Sequence, residues 1–310
     1  IYPPAVTFFD PETDTLLPTQ QSQYYNYLAT QTGLTGLVIL GTNAETFMLT
    51  REERLKLLQI ARAAVPETTP IIAGVGGHST AQVNEFIADA HSAGANFALV
   101  LPCAYFGKQT TPKVVDDFYD AVAKQSPIPI LIYNFPAVCN GLDLDSDQIA
   151  AIAQRNPNVV GVKLTCASVG KITRLTHTFP PSRFAVFGGQ SDFLIGGLAS
   201  GSAGCIAAFA NIFPKTLVRI YELYKAGKFE EALRLQRVAA HAENPTKAGI
   251  ATTKWAVSQF SAVAAGVEGG DKDKLEKLLR PRRPYEEPSG AIKAKILEKM
   301  RELAEIEKTL

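Results

Sequence analysis

The segment NVVGVKLTC (158–166) carries an amine that could do covalent chemistry. Its β-branched and apolar residues predict a buried strand, yet Lys163 lies near its end, and lysine is almost never fully buried without a partner. Removal from water favours the neutral amine, which attacks a ketone to give an iminium, an electron sink. The alternative is a lysine that extends its amine to water from a strand end. Alternation places Val159, Gly161 and Lys163 on one face, with room for the lysine stem beside Gly161.

A tyrosine ends another apolar segment, IPILIYN (128–134). Alternation places Tyr133 on the same inward face as Leu131. A phenol at that place can donate a proton to, or take one from, a developing oxyanion or hydroxyl. The alternative is a half-buried tyrosine at a strand end whose hydroxyl binds water.

The loop ILGTNAE (39–45) offers a set of groups that suits a carboxylate. Backbone N–H groups in a turn of small residues combine there with the Thr42 hydroxyl and the Asn43 amide, and Glu45 is available to brace the loop. An ordinary strand-to-helix turn, with Thr and Asn as turn formers, is the alternative.

Eight short apolar segments alternate with longer amphipathic helical patterns. Strands that are apolar on both faces indicate parallel pairing beneath helices, so the pattern predicts an α/β fold, a (β/α)8 TIM barrel with additional C-terminal helices. A doubly wound open sheet is the alternative, but FFDPETD stands where its glycine-rich dinucleotide turn is expected. Catalytic groups of a barrel lie at the carboxyl ends of its strands, where Lys163, Tyr133 and Thr42 all fall. The predicted strands are 5–9, 36–40, 70–74, 97–101, 128–134, 158–164, 184–188 and 203–208.

The pattern changes after the eighth predicted strand. We predict a single catalytic unit in two parts, with the barrel in 1–213 and C-terminal helices packed on it in 214–310. The loop at 269–290 is charged and rich in proline, so we expect it to be exposed. Thr50 and Glu53 have the spacing of a capping box at the start of one barrel helix.

Composition and charge exclude several classes of function. A formal net charge of +1 gives no electrostatic case for binding nucleic acid or an anionic membrane, and no window approaches the roughly 18 unbroken apolar residues of a membrane span. Four cysteines and four histidines are scattered without a C-x-x-C pair, so we expect no metal site and reduced thiols in an intracellular protein. The first residues lack the pattern of a secretory signal, and there is no initiating Met. The expected compartment is the cytoplasm, with the mitochondrion as the alternative.

Taken together, GTNAE, YNFP and GVK at the end of the sixth predicted strand resemble one family over about residues 3–300. This is the dihydrodipicolinate synthase and N-acetylneuraminate lyase superfamily of class I pyruvate aldolases. The resemblance implies that Lys163 forms the Schiff base with a 2-oxo acid, and that Tyr133 relays protons. It implies that Thr42 and Asn43 bind the carboxylate of the 2-oxo acid, that Gly189 lines the site, and that Ile206 makes an apolar contact there. It also implies no metal or organic cofactor and a homotetramer built as a dimer of dimers.

Departures from the synthase pattern favour another branch of this family. Val138 stands where the synthase has an arginine that binds the aldehyde's carboxylate, and Asn43 replaces its second threonine. Cys103 and Ala104 stand where the synthase has two adjacent tyrosines, with Tyr105 one place further on. The sequence looks more like the 4-hydroxy-2-oxoglutarate aldolases and the fungal 2-keto-3-deoxy-sugar-acid aldolases.

The expected reaction is therefore retro-aldol cleavage of a 4-hydroxy-2-oxo acid to pyruvate and an aldehyde, with only these small molecules as partners. Two alternatives stay open. One is dihydrodipicolinate synthase activity, which condenses pyruvate with aspartate semialdehyde. The other is a catalytically idle relative that binds a 2-oxo acid. The aldehyde half of the substrate, the physiological direction and the contribution of a neighbouring subunit near Ala104 also stay open.

Overall fold

Seven parallel strands form one curled sheet in the computed structural model, which describes residues 1–310. Each strand pairs with the next along the chain, so the strand order is the sequence order. This is the predicted (β/α)8 barrel, and seven of the eight predicted strands are present. The strands are β1 (Leu37–Ile39), β2 (Ile71–Gly74), β3 (Phe97–Val100), β4 (Ile130–Asn134), β5 (Val159–Leu164), β6 (Ala185–Gly188) and β7 (Gly204–Cys205).

The eighth position of the barrel is taken by an N-terminal segment that differs from the prediction. The strand predicted at 5–9 is wrong, because the residues that bridge the two edges of the sheet lie just before it. Tyr2 donates its N–H to Cys205 O at 3.0 Å, and the Val38 N–H donates to Pro3 O at 3.0 Å. Prolines lack the N–H that a regular ladder needs, so the segment closes the barrel through isolated bridges.

Thirteen α-helices cover the strands and extend the chain beyond them. Helix starts follow local sequence signals, such as the Thr50–Glu53 capping box that the structure confirms at the start of the second helix. No helix combines the length and the apolar character that crossing a bilayer requires. The helices are α1 (Pro18–Thr30), α2 (Arg51–Ala64), α3 (Thr80–Ser92), α4 (Pro112–Gln125), α5 (Ser146–Arg155), α6 (Val169–Thr178), α7 (Leu194–Ala199), α8 (Pro214–Lys225), α9 (Phe229–Glu243), α10 (Ile250–Gln259), α11 (Ser261–Ala264), α12 (Lys272–Leu278) and α13 (Gly290–Glu307).

Two apolar clusters fill the molecule. The larger one, of 73 buried residues, lies between strands and helices and includes residues of the C-terminal helices. The smaller one, of 10 buried residues, fills the barrel interior and includes Leu131, Tyr133 and Ile206. Strand residues alternate between the two clusters, as the two-residue period of a strand requires. The division of the chain between residues 213 and 214 stays a prediction.

A register irregularity between β4 and β5 changes which residues face the barrel interior. Ile130 pairs with Val159, whereas the next residue of β4 pairs with Gly161, so Val160 has no partner opposite. Val159 therefore packs in the outer core and Val160 packs on the interior cluster, the reverse of the predicted alternation. The room expected beside Gly161 is filled by β6, because a Cβ there would lie 2.5 Å from Ala185 O.

The segment 269–290 is more ordered than the exposed loop that its composition predicts. It contains α12, whose Leu275 is fully buried, and Leu279 is buried after it. Arg282 is largely buried as well, with 15 % of its side chain exposed, and its guanidinium binds Glu53 at 2.6 Å. The expectation of an exposed loop is met at residues 283–287 and is wrong for α12 and Arg282, whose side chains pack against the rest of the chain.

Candidate active site

A cavity of about 600 Å³ opens at the carboxyl ends of the strands, the end of a TIM barrel where active sites lie. Ile206 does not line it; this residue is fully buried in the apolar cluster of the barrel interior. The other five predicted site residues do line it: Thr42, Asn43, Tyr133, Lys163 and Gly189.

A lysine without a carboxylate partner lies at the centre of this group. The register of β4 and β5 pairs Tyr133 with Lys163, and the lysine Nζ lies 4.1 Å from the centroid of the tyrosine ring. Only 2 % of Lys163 is exposed, although its Nζ forms neither a hydrogen bond nor an ion pair with the protein. The other buried lysines, Lys171 and Lys254, each bind a carboxylate. The amine of Lys163 is therefore free for a ligand in the cavity.

Thr42 and Asn43 begin a short 3-10 turn (Thr42–Ala44) soon after β1. The first amide groups of such a turn have no acceptor within it, so they are available to an anion. The Thr42 hydroxyl lies 3.4 Å from the Tyr133 hydroxyl, which links the turn to the residue beside the lysine. The arrangement can bind a carboxylate next to a ketone that the amine attacks.

Glu45 fastens this turn to the C-terminal part of the chain. Its backbone is left-handed, with φ of 59°, and its side chain is buried. One carboxylate oxygen accepts a hydrogen bond from Lys254 Nζ at 2.7 Å, and the other accepts one from the Arg282 N–H at 2.7 Å. These hydrogen bonds connect the loop of Glu45 to α10 and to the segment at Arg282. Glu45 thus stabilises the loop, as the sequence suggested.

Thr165 is a polar residue of the site that the sequence reasoning missed. It lines the cavity two residues after Lys163, so it extends from the same face of the chain. Its hydroxyl is buried and has no partner in the protein. A Cβ on Gly189 would lie 2.1 Å from that hydroxyl, so only glycine fits there. The spacing from Lys163 is the signal that could have identified Thr165.

The C-terminal helices supply another wall, which no spacing in the sequence indicates. Glu243, at the end of α9, accepts hydrogen bonds from the Ser191 hydroxyl at 2.5 Å and the Ser191 N–H at 3.3 Å. Burial raises the pKa of Glu243 to about 7; the Asp192 charge adds to the rise, and the Ser191 hydrogen bonds and Lys247 oppose it. Lys247 binds Asp192 and lies 3.4 Å from Gln190 Oε1. Gln190, Glu243 and Lys247 all line the cavity.

Two of the positions that depart from the synthase pattern, Asn43 and Val138, line the cavity, whereas the positions at 103–105 do not. Val138 lines the cavity and is 43 % exposed, so an apolar side chain occupies the place of the synthase arginine. Ala104 is buried, whereas Tyr105 is 69 % exposed. Asp192, like the free thiol Cys166, is outside the cavity lining.

No group of three His, Cys, Asp or Glu side chains comes together as metal ligands. The cavity presents instead two amines, two phenols, hydroxyls, two amides and two carboxylates. These groups suit covalent catalysis and proton transfer on a small anionic substrate.

Comparisons with known proteins assign this chain to a family of enzymes. The chain belongs to the dihydrodipicolinate synthetase family, whose sequence pattern matches residues 1–269. It is 65 % identical over 307 residues, 99 % of this chain and 96 % of the relative, to a Coccidioides immitis (strain RS) protein named "Putative 4-hydroxy-2-oxoglutarate aldolase, mitochondrial". It is 37 % identical to the L-threo-3-deoxy-hexylosonate aldolase of Hypocrea jecorina, covering 100 % of this chain and 97 % of that one.

A crystal structure of a dihydrodipicolinate synthase family protein from Coccidioides immitis superposes with a TM-score of 0.92 at 62 % identity. The match covers 100 % of this chain and 96 % of that one. These comparisons confirm the predicted family and fold, and they confirm the predicted enzyme class, a carbon–carbon lyase of the aldolase type. They do not favour the synthase alternative.

Proposed function

We propose that this chain is a Schiff-base aldolase that reversibly cleaves a 4-hydroxy-2-oxo acid to pyruvate and an aldehyde. One observation carries the proposal: Lys163 is buried in the cavity beside Tyr133, and its amine has no partner in the protein. A free lysine amine in such a place is a nucleophile toward carbonyl carbon. The names of the relatives, which are aldolases of this substrate type, support the same reaction.

The reaction proceeds in four steps. The Lys163 amine adds to the C2 ketone, and loss of water from the carbinolamine leaves an iminium. Tyr133 gives its phenolic proton to the carbinolamine hydroxyl that leaves as water, and the resulting phenolate takes the proton of the C4 hydroxyl. The C3–C4 bond breaks, and its electron pair moves toward the iminium nitrogen to give an enamine and a free aldehyde. Tyr133 then returns the proton to C3 of the enamine. Water then hydrolyses the new iminium and releases pyruvate and the free amine.

The remaining residues hold the substrate. Thr42 and Asn43 bind the C1 carboxylate through their side chains and the amides of the turn. Thr165 lines the cavity as well, and its hydroxyl has no partner in the protein. Gly189 keeps the wall clear beside Thr165, and Ile206 supports the interior beneath the site from the barrel cluster. The chemistry requires no metal or organic cofactor.

Two substrates fit this proposal. They are 4-hydroxy-2-oxoglutarate and a 2-keto-3-deoxy sugar acid, the latter placing the enzyme in carbohydrate catabolism. Val138 lacks the guanidinium that the synthase uses at this position, and the names of the relatives do not favour the synthase reaction. Release of pyruvate separates an active aldolase from an idle relative, which would bind the 2-oxo acid without turnover.

Borohydride trapping tests the proposal. The protein is incubated with pyruvate and sodium borohydride, and its peptides are mapped by mass spectrometry. We expect one reduced adduct, on Lys163, and none on the carboxylate-bound Lys171 and Lys254, which serve as matched buried lysines. Lys163→Ala is expected to lose both the adduct and the activity. A folded protein without an adduct, or with the adduct on another lysine, contradicts the mechanism.

The assembly that we propose is a homotetramer, a dimer of dimers. A patch of aromatic rings lies on the surface near the cavity. The ring of Phe47 stacks on that of His78, with centroids 5.6 Å apart, and the centroids of His78 and Tyr105 are also 5.6 Å apart. Phe106 extends the patch and is 71 % exposed. Contiguous exposed aromatic surface of this kind is typical of protein interfaces. Sedimentation of the native chain and of Tyr105→Glu tests it; a native monomer contradicts it.

We also propose that catalysis needs both parts of the chain as one unit, because Glu45 is held from the C-terminal part. The names of two relatives include the word mitochondrial, which favours the mitochondrial alternative over the cytoplasm. Fluorescence localisation of the full-length protein in its own cells decides between them.

A further inference from the structure

Lys247 stands out among the cavity residues that the proposed reaction does not use. It lies in the 3-10 helix Asn244–Ala248, which follows α9, and 36 % of its side chain is exposed. Of the residues that line the cavity, Lys163 and Lys247 alone carry an ammonium, and no arginine or histidine is among them. The wall beyond the reacting lysine thus has one cation, and it comes from the C-terminal part of the chain.

The partners of Lys247 hold its side chain and leave it able to bind a ligand. Its Nζ donates to the Asp192 carboxylate and lies 3.4 Å from Gln190 Oε1. An ammonium has three N–H donors, so one remains after these two contacts. Gln190 also lines the cavity, whereas Asp192 does not. Asp192 and Gln190 therefore fix the ammonium at the wall, and one of its N–H groups has no partner in the protein.

The two substrate types differ at the end that is far from C1. In both, the C1 carboxylate binds the turn at Thr42, and the C2 ketone reacts with the amine of Lys163. Beyond C4, one type ends in a second carboxylate and the other in a neutral hydroxylated chain. A charge-assisted hydrogen bond is about twice as strong as one between neutral groups, so an ammonium favours the carboxylate. Val138 offers no charge for this purpose.

We propose that Lys247 binds the second carboxylate of the substrate, so that the preferred substrate is a dicarboxylate such as 4-hydroxy-2-oxoglutarate. The inference rests on the proposed aldolase function and adds the substrate class to it. Gln190 and Asp192 act as positioning residues that keep the ammonium at the wall.

Substrate discrimination by Lys247 variants tests the inference. The kcat/KM of pyruvate release is measured for 4-hydroxy-2-oxoglutarate and for L-threo-3-deoxy-hexylosonate, and the ratio of the two values is compared among variants. We expect Lys247→Gln to lower the ratio of dicarboxylate to monocarboxylate at least tenfold, chiefly through KM, and Lys247→Arg to lower it less. Lys293→Gln is the matched control, because Lys293 also has two partners, Glu276 and Glu287, but lies outside the cavity lining.

The outcomes separate this inference from the function on which it rests. A change of less than tenfold in Lys247→Gln, an equal loss in Lys247→Arg, or the same loss in Lys293→Gln overturns the role of Lys247. A native chain that cleaves the monocarboxylate more efficiently than the dicarboxylate also overturns it. If the native chain releases pyruvate from neither substrate, the proposed function itself fails, and this inference fails with it.

Discussion

The buried ion pair between Glu45 and Lys254 connects the C-terminal helices to the substrate-binding turn. Their side chains are 2 % and 0 % exposed, and Lys254 Nζ lies 2.7 Å from a Glu45 oxygen. The same ammonium lies 4.6 Å from the centroid of the Phe9 ring. We predict that Lys254→Met, which keeps an unbranched apolar stem and removes the charge, strongly destabilises the protein.

The magnitude follows from what the substitution leaves behind. Without the ammonium, the Glu45 carboxylate stays buried with only the N–H of Arg282 as a partner. Removing one partner of a buried pair costs about 3–5 kcal/mol, because the other charge is left without compensation. The loss is a large fraction of the roughly 5–15 kcal/mol of a typical fold. Activity should fall too, because Glu45 directly follows the turn of Thr42 and Asn43.

Urea unfolding of four proteins provides the measurement. These are the native chain, Lys254→Met, Glu45→Gln, and the double variant. The double variant has no buried charge at this place, and its glutamine still accepts a hydrogen bond from the Arg282 N–H. We therefore expect the double variant to regain at least half of the stability that Lys254→Met loses. Lys308→Met serves as the surface control, since Lys308 and Glu305 are 68 % and 69 % exposed, and we expect no measurable change.

Two results would refute this reasoning. One is a loss below about 1 kcal/mol in Lys254→Met, which would mean that water or a rearrangement compensates Glu45. The other is additivity, in which the double variant is destabilised by the sum of the single variants. Residues in contact that act as a pair are expected to show a coupling energy of about 0.5–3 kcal/mol instead.

Three further predictions follow from the site. Tyr133→Phe should lower kcat by about 10²–10⁴-fold, the usual contribution of a proton-transferring group. The melting temperature should stay unchanged, and the pyruvate adduct on Lys163 should still be detectable. An unchanged kcat would count against the role of Tyr133. Gly189→Ala should lower stability by about 1–3 kcal/mol and reduce kcat/KM, because its Cβ overlaps the Thr165 hydroxyl; equal stability in thermal melts would argue against that contact. Glu243→Gln should be more stable than the native chain at pH 8 and nearly equal to it at pH 5. The pKa of Glu243 is raised to about 7 from 4.5, so its stabilising contribution is present below pH 4.5 and lost as the pH rises through 7. The loss amounts to about 3 kcal/mol in unfolding free energy. A difference between the two proteins that does not change with pH would contradict the assignment.

The local periodicity of the sequence by itself determined the barrel fold and the inward direction of the two central site residues. Strands that alternate with amphipathic helices predict the barrel, and the two-residue period places Tyr133 and Lys163 on its inner face. The carboxyl ends of strands then meet at one end of the barrel, which brings Thr42, Asn43 and Gly189 to the same cavity. Thr42, Asn43, Tyr133 and Lys163 could be identified because each lies at or soon after a strand, whereas Gly189 was expected only from the resemblance to the family.

The tertiary structure alone decided the features that depend on contacts between distant parts of the chain. An extra residue in β5 reverses Val159 and Val160, since a bulge depends on the neighbouring strand as much as on its own sequence. Glu45 and Lys254 are 209 residues apart, and no local pattern relates them. Lys247 comes to the cavity in the same way, from helices whose packing is set by their apolar faces and whose polar residues carry no period that indicates a partner.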